Sequence, residues 1–501
     1  MNRGLALHPR TPVIIGVGDV INRDGPLLDP IDLAATAARR AFHDTGTDVT
    51  ALIDTVAVPG IILMHRDHPA HRIADSLGLA SGRRVSCPVG GNTPQYLVGE
   101  LGARIFSGDC DMALVVGAEA GHTAIRARKD GTRLSVGSAS GADTTMGDDR
   151  PGLSDVERAA GLFLPADVYP MFDAAFASRA GRTLDEQRRW LGTLMAPFTA
   201  EAARQPDRSW FPTERTAAEL STPTDGNRLI SEPYTKLLNS FLFVDMGAAF
   251  VLTAAEVAER AGVPRDRWVF SWGSATCNDV YFPVERPDLG ASAGIREAGD
   301  AVLATARVSV DEIAWFDLYS CFPAAVSAAV DALGLEFDDP RGFTVTGGLP
   351  YHGGPGNNYV THALAAMVRR CREDDRGIGL VSGLGWYLTK HSLGLWSAAP
   401  PRSPWQRPDM SRAQAAIDAT ALRVAPLDEA VGPAIVDAYS VVHDRDTGPC
   451  SVPVIATLAD GRRTIARSDD AELARHLSGG MFIGDTIEMT IGADGPTFHL
   501  V

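Results

Sequence analysis

A glycine-rich turn carries the side chains in this sequence that are best suited to chemistry. Residues 347–359 read Gly-Gly-Leu-Pro-Tyr-His-Gly-Gly-Pro-Gly-Asn-Asn-Tyr and lead into an apolar, helix-like segment over residues 362–370. Glycines let a backbone approach a ligand closely, and the start of the next helix would direct free N–H groups at an anion or carbonyl oxygen. A histidine titrates in the range useful for proton transfer, so His352, beside Tyr351, is a candidate general acid or base. The pattern is typical of an active-site turn.

A second polar group follows the Gly-Leu-Gly of residues 383–385. Lys390 and His391 stand where a strand should enter the core. Because buried ionisable groups need partners, these two side chains either pair structurally or face a cavity. The sequence leaves both alternatives open.

The cysteines favour neither a disulfide framework nor a metal site. They are scattered, without Cys-x-x-Cys pairs, at Cys87, Cys110, Cys277, Cys321, Cys371 and Cys450. Most are expected to be buried, reduced thiols, and no metal is predicted.

Composition limits the class of protein. The chain has 501 residues, of which 45% are hydrophobic and 22% charged, which predicts a globular protein of two or three domains. A formal net charge of -16 repels phosphate backbones and argues against nucleic acid as a partner. Neither a membrane-spanning apolar run nor the apolar core of a signal peptide is present in the sequence, so we expect a cytoplasmic protein without a membrane partner.

Strands alternate with helices in two similar halves, and this order predicts an α/β fold with mostly parallel sheets. Each half contains a glycine-rich turn, a helix, a strand and a second glycine-containing segment, which indicates a duplication. The predicted units are residues 1–120 with 235–265 for the first half, 121–234 for an inserted lid subdomain, 266–398 for the second half, 399–414 for a proline-rich linker and 415–501 for a C-terminal unit.

The C-terminal unit combines five short strand patterns with one helix over residues 470–477, which predicts a small β-barrel of the OB type. Many OB barrels bind single strands with basic grooves and stacked aromatic side chains. This unit instead carries 13 acidic and 6 basic residues and no lysine. We therefore expect a docking or lid module.

Five motifs in the first 400 residues resemble the thiolase superfamily, in particular the sterol-carrier-type thiolases and the thiolase-like proteins. They are Glu-Pro-Tyr-Thr-Lys-Leu at 232–237, Val-Asp-Met-Gly-Ala-Ala at 244–249, Asp-Leu-Tyr-Ser-Cys-Phe at 317–322, the turn at 347–359 and Gly-Leu-Gly at 383–385. The resemblance implies a duplicated fold layered α-β-α-β-α, with one site shared by the two halves.

The positions that are catalytic in thiolases carry other residues here. The family's nucleophilic cysteine falls at Gly90 or Gly91, and its activating histidine is Gly354. Its second cysteine falls at Val381 or Ser382. Cys87 could replace the nucleophile only if its loop were rearranged.

The resemblance also implies which residues act on a ligand. Tyr319 stands where the family has the Asn or His of an oxyanion hole and can donate one hydrogen bond. Coenzyme A or acyl-CoA is the implied ligand, and no other cofactor is required. The candidates for catalysis are Tyr319, Tyr351, His352 and His391, and those for coenzyme A binding are Ser240, Gly91, Asn92 and Gly354.

Three functions remain open. The first is an acyl-CoA-binding protein of acetyl-CoA acetyltransferase type in fatty-acid or sterol metabolism, although the missing Cys/His/Cys set argues against thiolysis. The second is a retro-aldol carbon-carbon lyase acting on a β-hydroxyacyl-CoA with tyrosine and histidine. The third is a non-catalytic acyl-CoA carrier or scaffold, which a cavity filled by side chains would favour.

The oligomeric state is also open. Thiolases pair through the sheet edge near the third strand of the first half, here residues 84–89. Arg83, Arg84 and Pro88 oppose pairing at that edge. Both a homodimer and a monomer are compatible with the sequence.

Overall fold

The computed structural model describes residues 7–79, 82–134, 138–492 and 495–501. The expectation about a signal peptide concerns in part residues 1–6, which lie outside the described residues. Within the part of the chain that is described, every helix is too short or too polar to span a membrane.

Among the described residues, the strands form two sheets. They are β1 (Pro12–Ile21), β2 (Thr55–Val58), β3 (Arg83–Ser86), β4 (Met112–Ala120), β5 (Thr144–Thr145), β6 (Leu229–Ser231), β7 (Tyr234–Thr235), β8 (Asp245–Ala254), β9 (Val269–Asn278), β10 (Trp315–Asp317), β11 (Gly379–Gly385), β12 (Lys390–Ser397), β13 (Gly432–Tyr439), β14 (Val442–Asp444), β15 (Gly448–Leu458), β16 (Arg463–Ser468), β17 (Thr486–Gly492) and β18 (Gly495–Leu500).

Helices cover the strands. They are α1 (Pro30–Asp44), α2 (Pro69–Leu77), α3 (Thr93–Ser107), α4 (Gly121–Asp130), α5 (Asp155–Ala159), α6 (Pro165–Arg179), α7 (Leu184–Arg204), α8 (Ala217–Ser221), α9 (Ala255–Arg260), α10 (Ala293–Ala306), α11 (Pro323–Ala332), α12 (Tyr359–Glu373), α13 (Ser411–Asp418) and α14 (Ala471–Leu477).

The two halves contribute to one ten-stranded sheet of order β10-β11-β12-β9-β1-β8-β4-β2-β3-β5. Val13 and Ile14 of β1 pair with Phe270 and Val269 of β9 and join the halves. Helices α3 and α12 touch each other and strands of both halves, whereas α1 packs on the first half and α10 on the second. This arrangement confirms the predicted α-β-α-β-α layering. The expectation of mostly parallel sheets is wrong, because β8, β9 and β12 each pair antiparallel with both of their neighbours in the ten-stranded sheet.

The inserted segment covers an edge of the sheet. Strand β5 pairs in parallel with β3, with Val85 opposite Thr144 and Ser86 opposite Thr145. The edge that the sequence analysis considered for dimerisation is therefore occupied by the chain itself.

The C-terminal strands are connected in the order of an OB-type barrel. Strand β13 pairs with β15 and β17, β15 pairs with β16, and β17 pairs with β18, all antiparallel. Helix α14 lies between β16 and β17 in the chain. The topology agrees with the predicted small β-barrel. Its sheet continues through β14 onto β6 and β7 of the inserted segment.

Candidate functional site

Four loops meet at the N-terminal ends of the central helices α3 and α12. The Gly90 amide donates to Asn357 Oδ1 at 2.9 Å and so joins the loop before α3 to the glycine-rich turn. The Tyr319 amide donates to Ser382 Oγ at 2.9 Å and joins the loop after β10 to β11. The sequence-predicted loops therefore converge on one place.

Gly91 has no room for a side chain. A Cβ atom at this position would lie 2.1 Å from the Tyr319 hydroxyl and 2.5 Å from the Leu384 carbonyl oxygen. Tyr319 is buried, and burial raises the pKa of its phenol well above the usual value, so the hydroxyl stays protonated at neutral pH. The phenol of Tyr319 thus fills the space that a side chain before α3 would need.

Tyr319 and His391 line the same cavity, which also touches Ser382 and has a volume of only about 10 Å³. A space of this size holds about one water molecule. It is far too small to enclose an acyl thioester, so a bound acyl-CoA would have to lie outside it.

His391 is held by a carboxylate. Its Nε2 lies 2.8 Å from Asp279 Oδ2 and 3.4 Å from the hydroxyl of Ser292, which itself donates to Asp279 at 2.5 Å. Burial would raise the pKa of Asp279, but the hydrogen bond and charge of His391 outweigh burial and hold the pKa below its usual value. The pair orients the imidazole beside the cavity.

Tyr351 and His352 are not among the residues that line this cavity. His352 is buried with its ring centre 5.2 Å from that of His362 and 5.9 Å from that of Tyr359. Neither ring nitrogen of His352 or His362 has a well-formed hydrogen bond, and the Tyr351 hydroxyl also lacks one. Burial lowers the pKa of His352 to about 4, and burial together with His352 lowers that of His362 to about 3. Both rings are therefore neutral at pH 7.

Asp317 connects the loop of Tyr319 to the glycine-rich turn. Its carboxylate accepts hydrogen bonds from the Tyr359 hydroxyl, the Thr346 hydroxyl and the Val345 amide, each at 3.0 Å. Burial raises the pKa of Asp317 to about 6 although these donors oppose the shift. Tyr359 in turn packs edge-on against Tyr319, with ring centres 5.6 Å apart.

Glu119 packs against the glycine-rich turn at Gly356. Its two carboxylate oxygens accept from the amides of Ile62 at 2.6 Å and Leu63 at 3.0 Å. A Cβ atom on Gly356 would come within 2.6 Å of this carboxylate. Burial raises the pKa of Glu119 to about 7.

The loop of residues 239–243 closes the outer side of the turn. The Gly354 amide donates to the Phe241 carbonyl at 3.0 Å, and the Ser240 amide donates to the Cys321 carbonyl at 3.1 Å. A Cβ atom on Gly354 would lie 3.2 Å from the Phe241 carbonyl oxygen. Phe243 is exposed at this surface.

The start of α3 is held by polar side chains of β12. Asn92 donates to the Ser392 hydroxyl at 3.2 Å. Lys390 donates to the carbonyl oxygens of Asp148 at 2.6 Å and Val89 at 3.3 Å, and burial lowers the pKa of this lysine. Both side chains therefore brace the loop that carries Gly90 and Gly91.

The crystal structure of a monomeric SCP2-thiolase like protein type 1 from Mycobacterium smegmatis is 33% identical in sequence, and the match covers 99% of this chain and 100% of that one with a TM-score of 0.86. The chain belongs to this thiolase-like family. A family model described as the thiolase-like protein type 1 additional C-terminal domain matches residues 413–495.

More distant structures share the thiolase fold. An acetyl-CoA acetyltransferase from Syntrophomonas wolfei is 18% identical over 78% of this chain and 99% of that one, with a TM-score of 0.55. The Ltp2-ChsH2(DUF35) aldolase is 19% identical over 78% of this chain and 99% of its matched chain, with a TM-score of 0.60. At such identities the likeness concerns the fold alone. No curated protein matches the chain.

In this thiolase-like protein, Cys87 is a poor substitute for the missing nucleophile. It is buried, and burial raises the pKa of its thiol to about 12. Since the thiolate is the reactive form, a thiol of this kind is inert at neutral pH. Among the described residues, no three His, Cys, Asp or Glu side chains converge as ligands for a metal ion.

Three residues at the site were missed by the sequence analysis: Asp317, His362 and Glu119. An acidic residue at the end of an apolar strand is a signal that could have found Asp317 and Glu119, because a buried carboxylate needs several donors. His362 lies in the first turn of α12, where it looked like part of an apolar helix.

Proposed function

We propose that this thiolase-like protein binds coenzyme A or acyl-CoA in lipid metabolism without forming an acyl-enzyme. The observation that carries the proposal is the Tyr319 hydroxyl, which stands 2.1 Å from where a side chain at Gly91 would begin. With the nucleophile's space filled and the adjoining cavity near 10 Å³, a covalent thiolase step has neither a thiolate nor room. The carrier function, which a filled cavity favours, is thereby supported.

Calorimetric titration with coenzyme A and acetoacetyl-CoA tests the proposal. We expect binding of one ligand per chain and no loss of acetoacetyl-CoA thioester absorbance when coenzyme A is added. Ser240→Asp should weaken binding by placing a negative charge beside the loop at residues 239–243, whereas Ser76→Asp, at an exposed position of α2, should not. Absence of coenzyme A binding, or catalytic formation of two acyl-CoA products, would overturn the proposal.

A second candidate function, carbon-carbon bond cleavage, is favoured by one observation. Tyr319 and His391 line the same cavity, and Asp279 orients His391 at 2.8 Å. A neutral phenol and an oriented imidazole are a suitable pair for moving a proton to or from a β-hydroxyacyl-CoA. The reaction would require the cavity to open.

Carbonyl release from a β-hydroxyacyl-CoA tests this second candidate. Activity that is lost in Tyr319→Phe and kept in Tyr439→Phe would support it. Tyr439 is the control because its hydroxyl donates to Gly480 in the C-terminal domain. Lack of aldehyde or ketone release by the unaltered protein would exclude this candidate.

We also propose that the protein is a monomer. Strand β5 occupies the edge of β3, and the similar protein from Mycobacterium smegmatis is described as monomeric. Light scattering at increasing protein concentration should give a constant mass near 53.2 kDa. A mass that doubles with concentration would contradict the proposal.

A further inference from the structure

A large groove lies apart from the thiolase centre. It has a volume of about 1170 Å³ and runs between helix α7 and the loop of residues 336–345, with the C-terminal half of α12 on its third side. None of the residues proposed for the thiolase centre lines it. The groove therefore needs an explanation of its own.

Two contacts define the direction of the groove. One end of the groove, the first end, lies near the start of α7. There the rings of Trp190 and Phe337 meet edge to face, with centres 4.9 Å apart. Near its other end Gln205 Nε2 donates to the Val345 carbonyl at 2.9 Å. The loop thus runs alongside α7, and the helical rise between the two contacts gives a length of about 22 Å.

The two ends of the groove differ in chemistry. The first end contains the apolar side chains of Trp190, Leu194, Pro197 and Phe337. The other end carries guanidinium groups and is formed by Arg204, Arg208 and Arg369. A ligand that matches both ends has a long apolar body and an anionic head.

The guanidinium end has an excess of positive charge. Asp19 is bound by Arg369 at 2.8 Å and is approached by Arg208 only to 3.6 Å, while Arg204 pairs with Glu201. Three guanidinium groups therefore share two carboxylates. The Arg208 side chain is 46% exposed, so its planar fork is accessible to a carboxylate ligand.

Acidic residues also lie at the first end. Glu336 and Asp338 are exposed on either side of Phe337. Their charges would repel an anionic head, while the rings of Trp190 and Phe337 offer an apolar surface to a tail. The charge distribution thus selects one orientation of an amphipathic anion.

We propose that this groove binds a long-chain fatty carboxylate. The carboxylate lies on Arg208 beside Arg369, and the alkyl chain follows α7 to the ring of Phe337. This second site does not depend on the function proposed for the thiolase centre, because the two share no lining residue. The class of ligand follows from the length of the groove, its apolar first end and its cationic second end.

Calorimetric titration of the full-length protein with hexadecanoate, below its micelle concentration, tests the proposal. We expect one site per chain. Arg208→Gln should weaken binding by about tenfold because one charged hydrogen-bonding group is lost. Phe337→Ser should also weaken binding, and butanoate should bind far more weakly because little apolar surface is buried. Arg189→Gln is the matched control, since Arg189 is exposed on the same helix outside the groove.

Two further ligands make the outcome decisive. Hexadecyltrimethylammonium has the same tail with a positive head and should bind more weakly than hexadecanoate. Coenzyme A should not displace hexadecanoate, because its proposed site is elsewhere. Absence of hexadecanoate binding, equal binding of the cationic amphiphile, or equal affinity of Arg208→Gln and Arg189→Gln would each overturn the proposal.

Discussion

The position of the Tyr319 side chain allows only a glycine at position 91. The 2.1 Å separation between the Tyr319 hydroxyl and a Cβ atom at position 91 is shorter than any non-bonded contact, so a cysteine there would require Tyr319 to leave. The Leu384 carbonyl, at 2.5 Å, would still crowd the new side chain. Recovery of a thiolase nucleophile would thus need several coordinated changes, which accords with a protein that binds without acylation.

Substitution of Gly91 tests this packing directly. We expect Gly91→Ala to lower the free energy of unfolding by about 2–3 kcal/mol, because an added methyl group in a filled site forces its neighbours to shift. Tyr319→Ala should cost less stability in the Gly91→Ala chain than in the unaltered chain, since the two residues are in contact. Thermal and urea unfolding provide the measurement. Gly226→Ala is the control because its Cβ atom would meet nothing within 4 Å, and equal effects of the two substitutions would contradict the packing.

His362 should make stability depend on pH. Its pKa is about 3 in the folded chain against 6.5 for a free histidine, so the unfolded chain binds the extra proton as pH falls below 6.5. Stability is therefore lost on acidification, by about 1.4 kcal/mol per pH unit once the pH is well below 6.5. Between pH 6.5 and 4.5, His362→Leu should lose about 2 kcal/mol less than the unaltered protein in urea unfolding. The exposed His476→Leu is the control, and an unchanged pH profile in His362→Leu would refute the assignment.

Strand β5 covers the edge of the sheet beside β3. Its segment is tied to α2 by Asp143, whose carboxylate accepts from the Ala70 amide at 2.9 Å and from His71 Nδ1 at 2.7 Å. Ser140 adds a bond to Asp75 at 2.9 Å. An edge strand covered in this way no longer offers free backbone groups to another chain.

Removal of the Asp143 carboxylate should loosen this cover. We expect Asp143→Ala to speed hydrogen exchange of β3 and of residues 144–146, and to allow association through the exposed edge at high protein concentration. Hydrogen exchange and light scattering measure the two effects. The exposed Asp149→Ala serves as control, and unchanged exchange in β3 would show that other contacts hold the strand.

Elements with strong local signals could be predicted from the sequence, and those fixed by distant contacts could not. Helices α6 (Pro165–Arg179) and α7 (Leu184–Arg204) have such signals, since proline is at the start of α6 and α7 begins at a capping box of Thr183 and Glu186. Strand β5 has only two residues and carries no periodic pattern. The partners of Lys390 and His391 at the start of β12 could not be predicted, because Asp148 and Asp279 lie far away in the chain.

The site follows the same division. Motif spacing located the four loops, and the structure places Tyr319 and His391 at one cavity. Motif spacing could not reveal that the Tyr319 hydroxyl fills the space at Gly91, because more than two hundred residues separate the two positions in the chain. Nor could the sequence show that Tyr351 and His352 do not line that cavity, since His352 packs against His362 and Tyr359.

At the scale of the whole molecule, the C-terminal domain packs against the inserted segment. Glu232, between β6 and β7, is buried against the C-terminal domain. Its carboxylate accepts from His443 Nε2 at 2.7 Å, from the Gly479 amide at 2.6 Å and from the Ser478 hydroxyl. This carboxylate is one of several contacts that fix the acidic domain on the thiolase body, together with the pairing of Val442 in β14 with Ser231 in β6.

Replacement of Glu232 should release this contact. Burial would raise the pKa of Glu232, but the donors from His443, Ser478 and Gly479 outweigh burial and leave the pKa below its usual value of 4.5, so the carboxylate is charged at pH 7. Glu232→Gln removes that charge and leaves one acceptor oxygen for the three donors, which should cost about 3 kcal/mol of docking free energy. We expect faster hydrogen exchange in β14 and β6 and easier proteolysis at residues 399–410, with the rest of the thiolase body unchanged. The exposed Glu472→Gln in the same domain is the control. Equal hydrogen exchange in Glu232→Gln and Glu472→Gln at pH 7 would contradict the role of Glu232. The unaltered protein should show a similar release of the C-terminal domain as pH falls below about 4.5, since this stabilisation is lost when Glu232 is protonated.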